Sequence, residues 1–259
     1  MSRYFIHMAF DGSAYNGWQK QANEKTVQQV LEHALFMLLK QELPITGAGR
    51  TDTGVHASHF VAHFDLDEGP GDGPGATATS LQPSSGQFLF KLNRFLPRDI
   101  VVKKIFRVKD DMHARFSARY RTYHYFISSV KPLFNREYSL YIYGDLNLEA
   151  IEACCQILMG TRDFTSFAKL HSDVKTNICS VSHARWAEVE QGYRFEITAD
   201  RFLRNMVRSI TGTLLDVGLG KIDPDGFKEI VEAKDRRSAG SSAPARALFL
   251  VDIGYPEFD

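Results

Sequence analysis

Two apolar periods, mixed along one chain, constrain this fold more than any other feature. RYFIHMAF, residues 3–10, sets Tyr4, Ile6, Met8 and Phe10 at every second position, which is the period of a half-buried strand. Thr26 and Gln29 then have the spacing of a capping box. Behind them Val27, Val30, Leu31, Ala34, Leu35 and Leu38 recur on one helical stripe that needs a sheet to pack on. Strand-like runs return at 59–66 (HFVAHFDL), 99–108, 121–130, 181–190, 193–200 and 247–255. Helical stretches are predicted over 88–96 (ended before Pro97), 148–160 (closed by Gly160), 202–218 (FLRNMVRSITGTLLDVG) and 223–234. Gln191-Gly192 reads as the tight turn of a hairpin. Such hairpin-like neighbours do not keep the steady β-α alternation of a doubly wound fold. The expected class is therefore α+β, in two related halves of sheet and helix, 1–108 and 109–259. DEGPGDGPGATATSLQPSSG, 67–86, is too poor in apolar residues to offset its own ordering and is expected to be a surface excursion.

Composition narrows the chemistry. With 259 residues, 44% hydrophobic and 24% charged, the chain can bury a real core. No apolar run approaches the ~18 to 20 residues of a membrane span, and MSRYFIHMAFDG reads as a strand, not as a secretory signal. Cys154, Cys155 and Cys179 make an odd count without C-x-x-C spacing, so a reducing cytoplasm is the expected compartment. A formal net charge of zero argues against indiscriminate coating of nucleic acid. Ten basic residues nevertheless crowd 91–121 against Asp99, Asp110 and Asp111, and Arg201, Arg204 and Arg208 form a second group. A solvated charged surface and a track for phosphates both fit that distribution.

ITGAGRTDTGVHASHF, 45–60, is the stretch with chemistry in it. A dinucleotide fingerprint would need a third glycine, and a P-loop would need G-K-[ST]; both are missing. Asp52, His56, His59 and His63 lie close together in sequence, and sets of His with a carboxylate do bind zinc. His59 and His63, however, stand about 13 Å apart along an extended strand, which disfavours one shared ion. An aspartate that only caps a turn is the plain alternative.

FDGSAYNGWQKQANEKTVQQVLEHAL (10–35), AGRTDTGVHA (48–57), HARFSARYRTYHY (113–125), GTRDFTSF (160–167), FLRNMVRSITGTLLDVG (202–218) and SSAPARALFLVDIGYP (241–256) follow one another in order. Together they resemble the TruA-type tRNA pseudouridine synthases over nearly the whole chain. Departures such as His59-Phe60, Ala247 and Tyr141-Ile142-Tyr143 leave the aspartate loop untouched. The resemblance implies ferredoxin/RRM-like halves meeting in a largely antiparallel sheet, with a cleft between them. It implies isomerisation of uridine to pseudouridine in the anticodon stem-loop, at tRNA positions 38, 39 and 40. Asp52 would be the catalytic carboxylate, and Arg208 the cation that keeps it ionised. Tyr123 would stack on the base and accept a proton at C5. Leu248 would floor the base, and Arg50 would wedge or anchor the emptied stack after base flipping. No metal or other cofactor is implied, and the implied assembly is a homodimer bound to tRNA. A tRNA-binding protein that has lost catalysis on the same scaffold is the competing reading.

Overall fold

The computed structural model describes residues 1–67, 82–169 and 175–256. Most of the Gly/Pro-rich excursion expected at 67–86 lies outside the described residues. Two compact units emerge: Met1–Arg119 with Ile253–Asp259, and Tyr120–Asp252.

In the first unit, strand β1 (Ser2–Phe10) is followed by helix α1 (Val27–Leu39), a short β2 (Thr46–Gly47), the long β3 (His56–Leu66), helix α2 (Gly86–Phe95) and β4 (Ile100–Arg107). β1 sits between β4 and β3, antiparallel to both, and β2 pairs with β3. The capping box is formed: Gln29 N–H donates to Thr26 Oγ1, and Thr26 N–H to Gln29 Oε1. Lys40, in the left-handed region, closes α1. Val27, Leu31, Ala34 and Leu35 of the expected stripe are buried, and Phe88 and Leu92 bury the inner face of α2. They cover a sheet face that carries Tyr4, Ile6, Met8, Phe60 and Phe64, all buried. β3 starts three residues earlier than the alternation predicts, at His56, so the aspartate loop runs straight into a strand.

The second unit contains β5 (Tyr120–Ser128), a short β6 (Leu140–Tyr141), α3 (Leu148–Leu158), β7 (Gly160–Asp163), β8 (Ile178–Val189), β9 (Gly192–Ala199), α4 (Met206–Gly218), α5 (Pro224–Ala233) and all but the last two residues of β10 (Leu248–Gly254). Its strand order is β10-β5-β9-β8-β7, with β6 parallel to β5 at the side. The β8–β9 hairpin turns at Gln191, whose φ is +64°, as the sequence predicts. Asn147 and Asp223 cap α3 and α5. The class is α+β, as expected. Cys154 and Cys155 on α3 and Cys179 on β8 are buried free thiols. Burial pushes Cys154 up to about 11 and Cys179 up to about 12, so they stay protonated core residues. Among the described residues no helix is long and apolar enough to cross a membrane.

One helix departs from the sequence pattern. A helix over 202–218 is expected, but α4 begins at Met206 because Asn205 has φ +66°. Asparagine is among the few residues that adopt this conformation readily. Its side chain leaves the helix end uncapped and donates to Ser242 Oγ at 2.6 Å. Phe202 to Asn205 therefore precede the helix as a non-helical lead-in that ends in a turn at Arg204-Asn205.

Candidate active site

Asp52 is half-buried on the loop that joins β2 to β3. Its carbonyl accepts the Val55 N–H at 3.1 Å, and Gly54, two residues on, has φ +78°. This is a tight turn that demands glycine at its third position. The Asp52 side chain thus stands at the first position of a turn defined by D-T-G-V.

The loop is held from behind by the β1–α1 connection. A Cβ on Gly17, whose φ is +80°, would collide with the Thr51 carbonyl, and one on Gly12 with the Val55 carbonyl. Both glycines are required because two backbones touch there. Gly54 N–H reaches Tyr15 O at 3.4 Å, and Tyr15, itself buried, donates its hydroxyl to Asp99 Oδ1 at 2.6 Å. Gly47 faces Trp18, with the indole Nε1 2.5 Å from where a Cβ would be. A Cβ on Gly49 would meet nothing within 4 Å. Gly12, Gly17 and Gly47 therefore serve the protein's own packing, while Gly49 faces open space. Arg50 is exposed beside it.

The histidines have separate employments. His56, 1% exposed, has Nδ1 3.0 Å from Asp11 Oδ1 and 3.1 Å from the Gly12 N–H, so it ties the start of β3 to the end of β1. His59 packs on His7 with ring centroids 4.1 Å apart. His63 accepts the Ala114 N–H at Nδ1, 3.2 Å, and burial lowers its titration to about 4. Among the described residues no three His, Cys, Asp or Glu side chains gather as a ligand set.

Tyr123 lies on β5 opposite Ile197 of β9 and is partly exposed. The ring of Phe202 meets it edge-on, centroids 5.1 Å apart at 88°. This contact fixes the plane of the tyrosine. Sequence reasoning missed Phe202 because it placed the residue inside a helix; the signal was Asn205, a residue apt to break the helix start. Arg208, in the first turn of α4, donates Nε–H to Ala243 O at 2.8 Å, while Ala243 N–H donates to Arg208 O at 2.9 Å. Arg236 braces the same segment through Ala239 O, Gly240 O and Ser242 Oγ. Leu248, 5% exposed, opens β10 beside β5. Asp52 and Arg50 belong to the first unit, and Tyr123, Arg208 and Leu248 to the second. Apart from the partly buried Arg121, the basic residues of 91–121 are exposed, as contact with phosphates requires.

The family described as tRNA pseudouridine synthase matches residues 6–117 and 154–256. The chain belongs to the tRNA pseudouridine synthase family. The tRNA pseudouridine synthase A of Parabacteroides distasonis is 49% identical over 260 residues, covering 99% of this chain and 97% of that protein. Its namesake from Bacteroides thetaiotaomicron is also 49% identical, covering 99% and 92%. The one from Bacillus subtilis is 39% identical over 252 residues, covering 96% and 97%. As a tRNA pseudouridine synthase the chain is an isomerase: a glycosidic N–C bond is exchanged for a C–C bond within one nucleotide. The matched regions contain Asp52, Arg208 and Leu248; Tyr123 falls between them.

Proposed function

We propose that this chain converts uridine to pseudouridine in the anticodon stem-loop of tRNA, at tRNA positions 38, 39 and 40. The observation that carries the reading is the half-buried Asp52, mounted on a turn that two glycines of the β1–α1 connection brace from behind, in a chain this similar over its full length to tRNA pseudouridine synthases A. The reaction needs an ionised carboxylate at the ribose, either to attack C1′ or to take the C2′ proton. Asp52 supplies it. Arg208 keeps the carboxylate charged; with its Nε on Ala243 O, a fork on that carboxylate uses its two terminal nitrogens. Tyr123 stacks on the uracil and takes the C5 proton, with Leu248 as the apolar floor. Arg50 enters the stack that the flipped nucleotide vacates, offsetting a cost of a few kcal/mol.

The exposed lysines and arginines of 91–121 hold phosphates. A homodimer that spreads one tRNA over two subunits reconciles tRNA binding with zero net charge, and the working compartment is the cytoplasm that contains tRNA. The proposed domains are an N-terminal half, 1–108, with the aspartate loop, and a C-terminal half, 109–259, while the compact units divide after Arg119. The test is incubation of purified protein with unmodified tRNA, followed by mapping of pseudouridine. Product at positions 38–40 supports the reading. Tight binding without any product would instead favour the non-catalytic scaffold.

A further inference from the structure

Phe116 is 75% exposed, yet the turn that carries it is rigidly built. Arg3 Nη1 donates to Met112 O at 2.9 Å, Ala114 N–H donates to His63 Nδ1, and Tyr255 Oη donates to Ala114 O at 2.6 Å. Met112 and Ala114 are buried, so the base of the turn is locked into the first unit on both sides of His113. Within the turn, His113 Nδ1 accepts the N–H groups of Arg115 at 3.1 Å and Phe116 at 3.2 Å. His113 N–H donates to Ser117 Oγ, and Ser117 N–H returns to His113 O, each at 2.9 Å. The imidazole of His113 packs against Phe116 with centroids 4.4 Å apart, and the Arg115 guanidinium lies 5.5 Å over the ring. An exposed apolar ring is ordinarily left on a mobile side chain or turned inward; this one is held out, with a cation beside it.

We propose that Phe116, flanked by Arg115, is a stacking platform for an unpaired nucleobase of the bound tRNA, distinct from the target uridine that Tyr123 receives. The inference rests on the tRNA reading above. A phenyl ring offers no hydrogen bond, so the platform takes any base; aromatic stacking is tolerant in this way. The neighbouring guanidinium adds attraction to the base and to the phosphate that comes with it. A pre-ordered turn spares the complex the entropy of fixing the ring on binding. Phe134 and Tyr143 are more exposed still, but no comparable set of side-chain hydrogen bonds holds their turns among the described residues.

The test compares Phe116→Ala, Phe116→Leu and Phe116→Trp in the full-length protein, reading tRNA Kd, the single-turnover rate at saturating tRNA, and oligomeric state. Loss of one stack weakens tRNA binding about 5- to 150-fold, so Phe116→Ala is expected in that range. Phe116→Leu should be nearly as weak despite its similar apolar bulk. Phe116→Trp should bind at least as tightly as wild type and show quenching of the introduced indole when tRNA is added. Single-turnover rates at saturation should stay within about threefold. Kd values within twofold of wild type for Phe116→Ala and Phe116→Leu would overturn the platform, and so would a change of oligomeric state as the main effect of Phe116→Ala. If wild type itself neither binds nor modifies tRNA, the functional reading has failed first, which the same measurements show separately.

Discussion

At the scale of single residues, Arg208 separates two accounts. A phosphate-binding arginine should tolerate Arg208→Lys, because lysine is also a good phosphate cation. An arginine that fixes the direction of Asp52 should not, since lysine lacks the planar fork. The tether sharpens the expectation: a lysine ammonium that reaches Ala243 O cannot present a second, fixed donor pair. Arg208→Lys is expected to lower the single-turnover rate far more than tRNA affinity, and Arg208→Met to lower it by some two to four orders of magnitude, as loss of a desolvated partner does. The salt dependence of binding should barely change. A normal rate with a shallower salt slope would place Arg208 on the RNA backbone. His63 makes a second prediction. Its folded-state titration, lowered to about 4 by burial, lies below the ordinary value, so the unfolded chain binds its proton first. Stability is then full above about pH 6.5 and declines as pH falls toward about 4. His63→Gln keeps an acceptor for Ala114 N–H without a titration. Its urea midpoint should drop less than wild type between pH 7 and pH 4.5, and an equal drop in both would contradict the assignment.

At the scale of elements, the β1–α1 connection and the aspartate turn act as one device. Gly17→Ala asks an alanine to adopt φ near +80° against the Thr51 carbonyl. A cost of about 1 to 3 kcal/mol is expected, lowering Tm by several degrees in a chain of this size and displacing Asp52 with it. Gly49→Ala meets nothing within 4 Å and should leave Tm within a degree or two; differential scanning fluorimetry of both variants decides this. Equal Tm losses would mean that Gly49 is also packed. Legibility in the sequence follows from the same contacts. Elements with a cap and a stripe, such as α1 behind Thr26, were readable because local chemistry alone sets them. The start of α4 was not, because Asn205 gives its side chain to Ser242, 37 residues away, and no local pattern reports that. Asp52 stood out through the family-like loop around it, but the reason for the glycines did not. Gly12 and Gly17 face a loop more than thirty positions on, so their purpose is visible only in three dimensions.

At the scale of the whole molecule, two α+β units each carry part of the proposed chemistry, with the carboxylate in one and the tyrosine and arginine in the other. Zero net charge makes assembly consequential: sedimentation at micromolar concentration should give a dimer, and a monomer with full tRNA affinity would remove the shared-groove argument. The central claim is that Asp52 performs the chemistry and does not merely shape a turn. Asp52→Asn keeps the size of the side chain and an acceptor while removing the charge. The decisive measurement is pseudouridine formed per enzyme under single-turnover conditions on one unmodified tRNA, together with the Kd for that tRNA, for wild type and Asp52→Asn. The account predicts product at tRNA positions 38–40 with wild type, none with Asp52→Asn, and affinities within about tenfold, roughly 1.4 kcal/mol. Pseudouridine formation by Asp52→Asn at a rate comparable to wild type would contradict it.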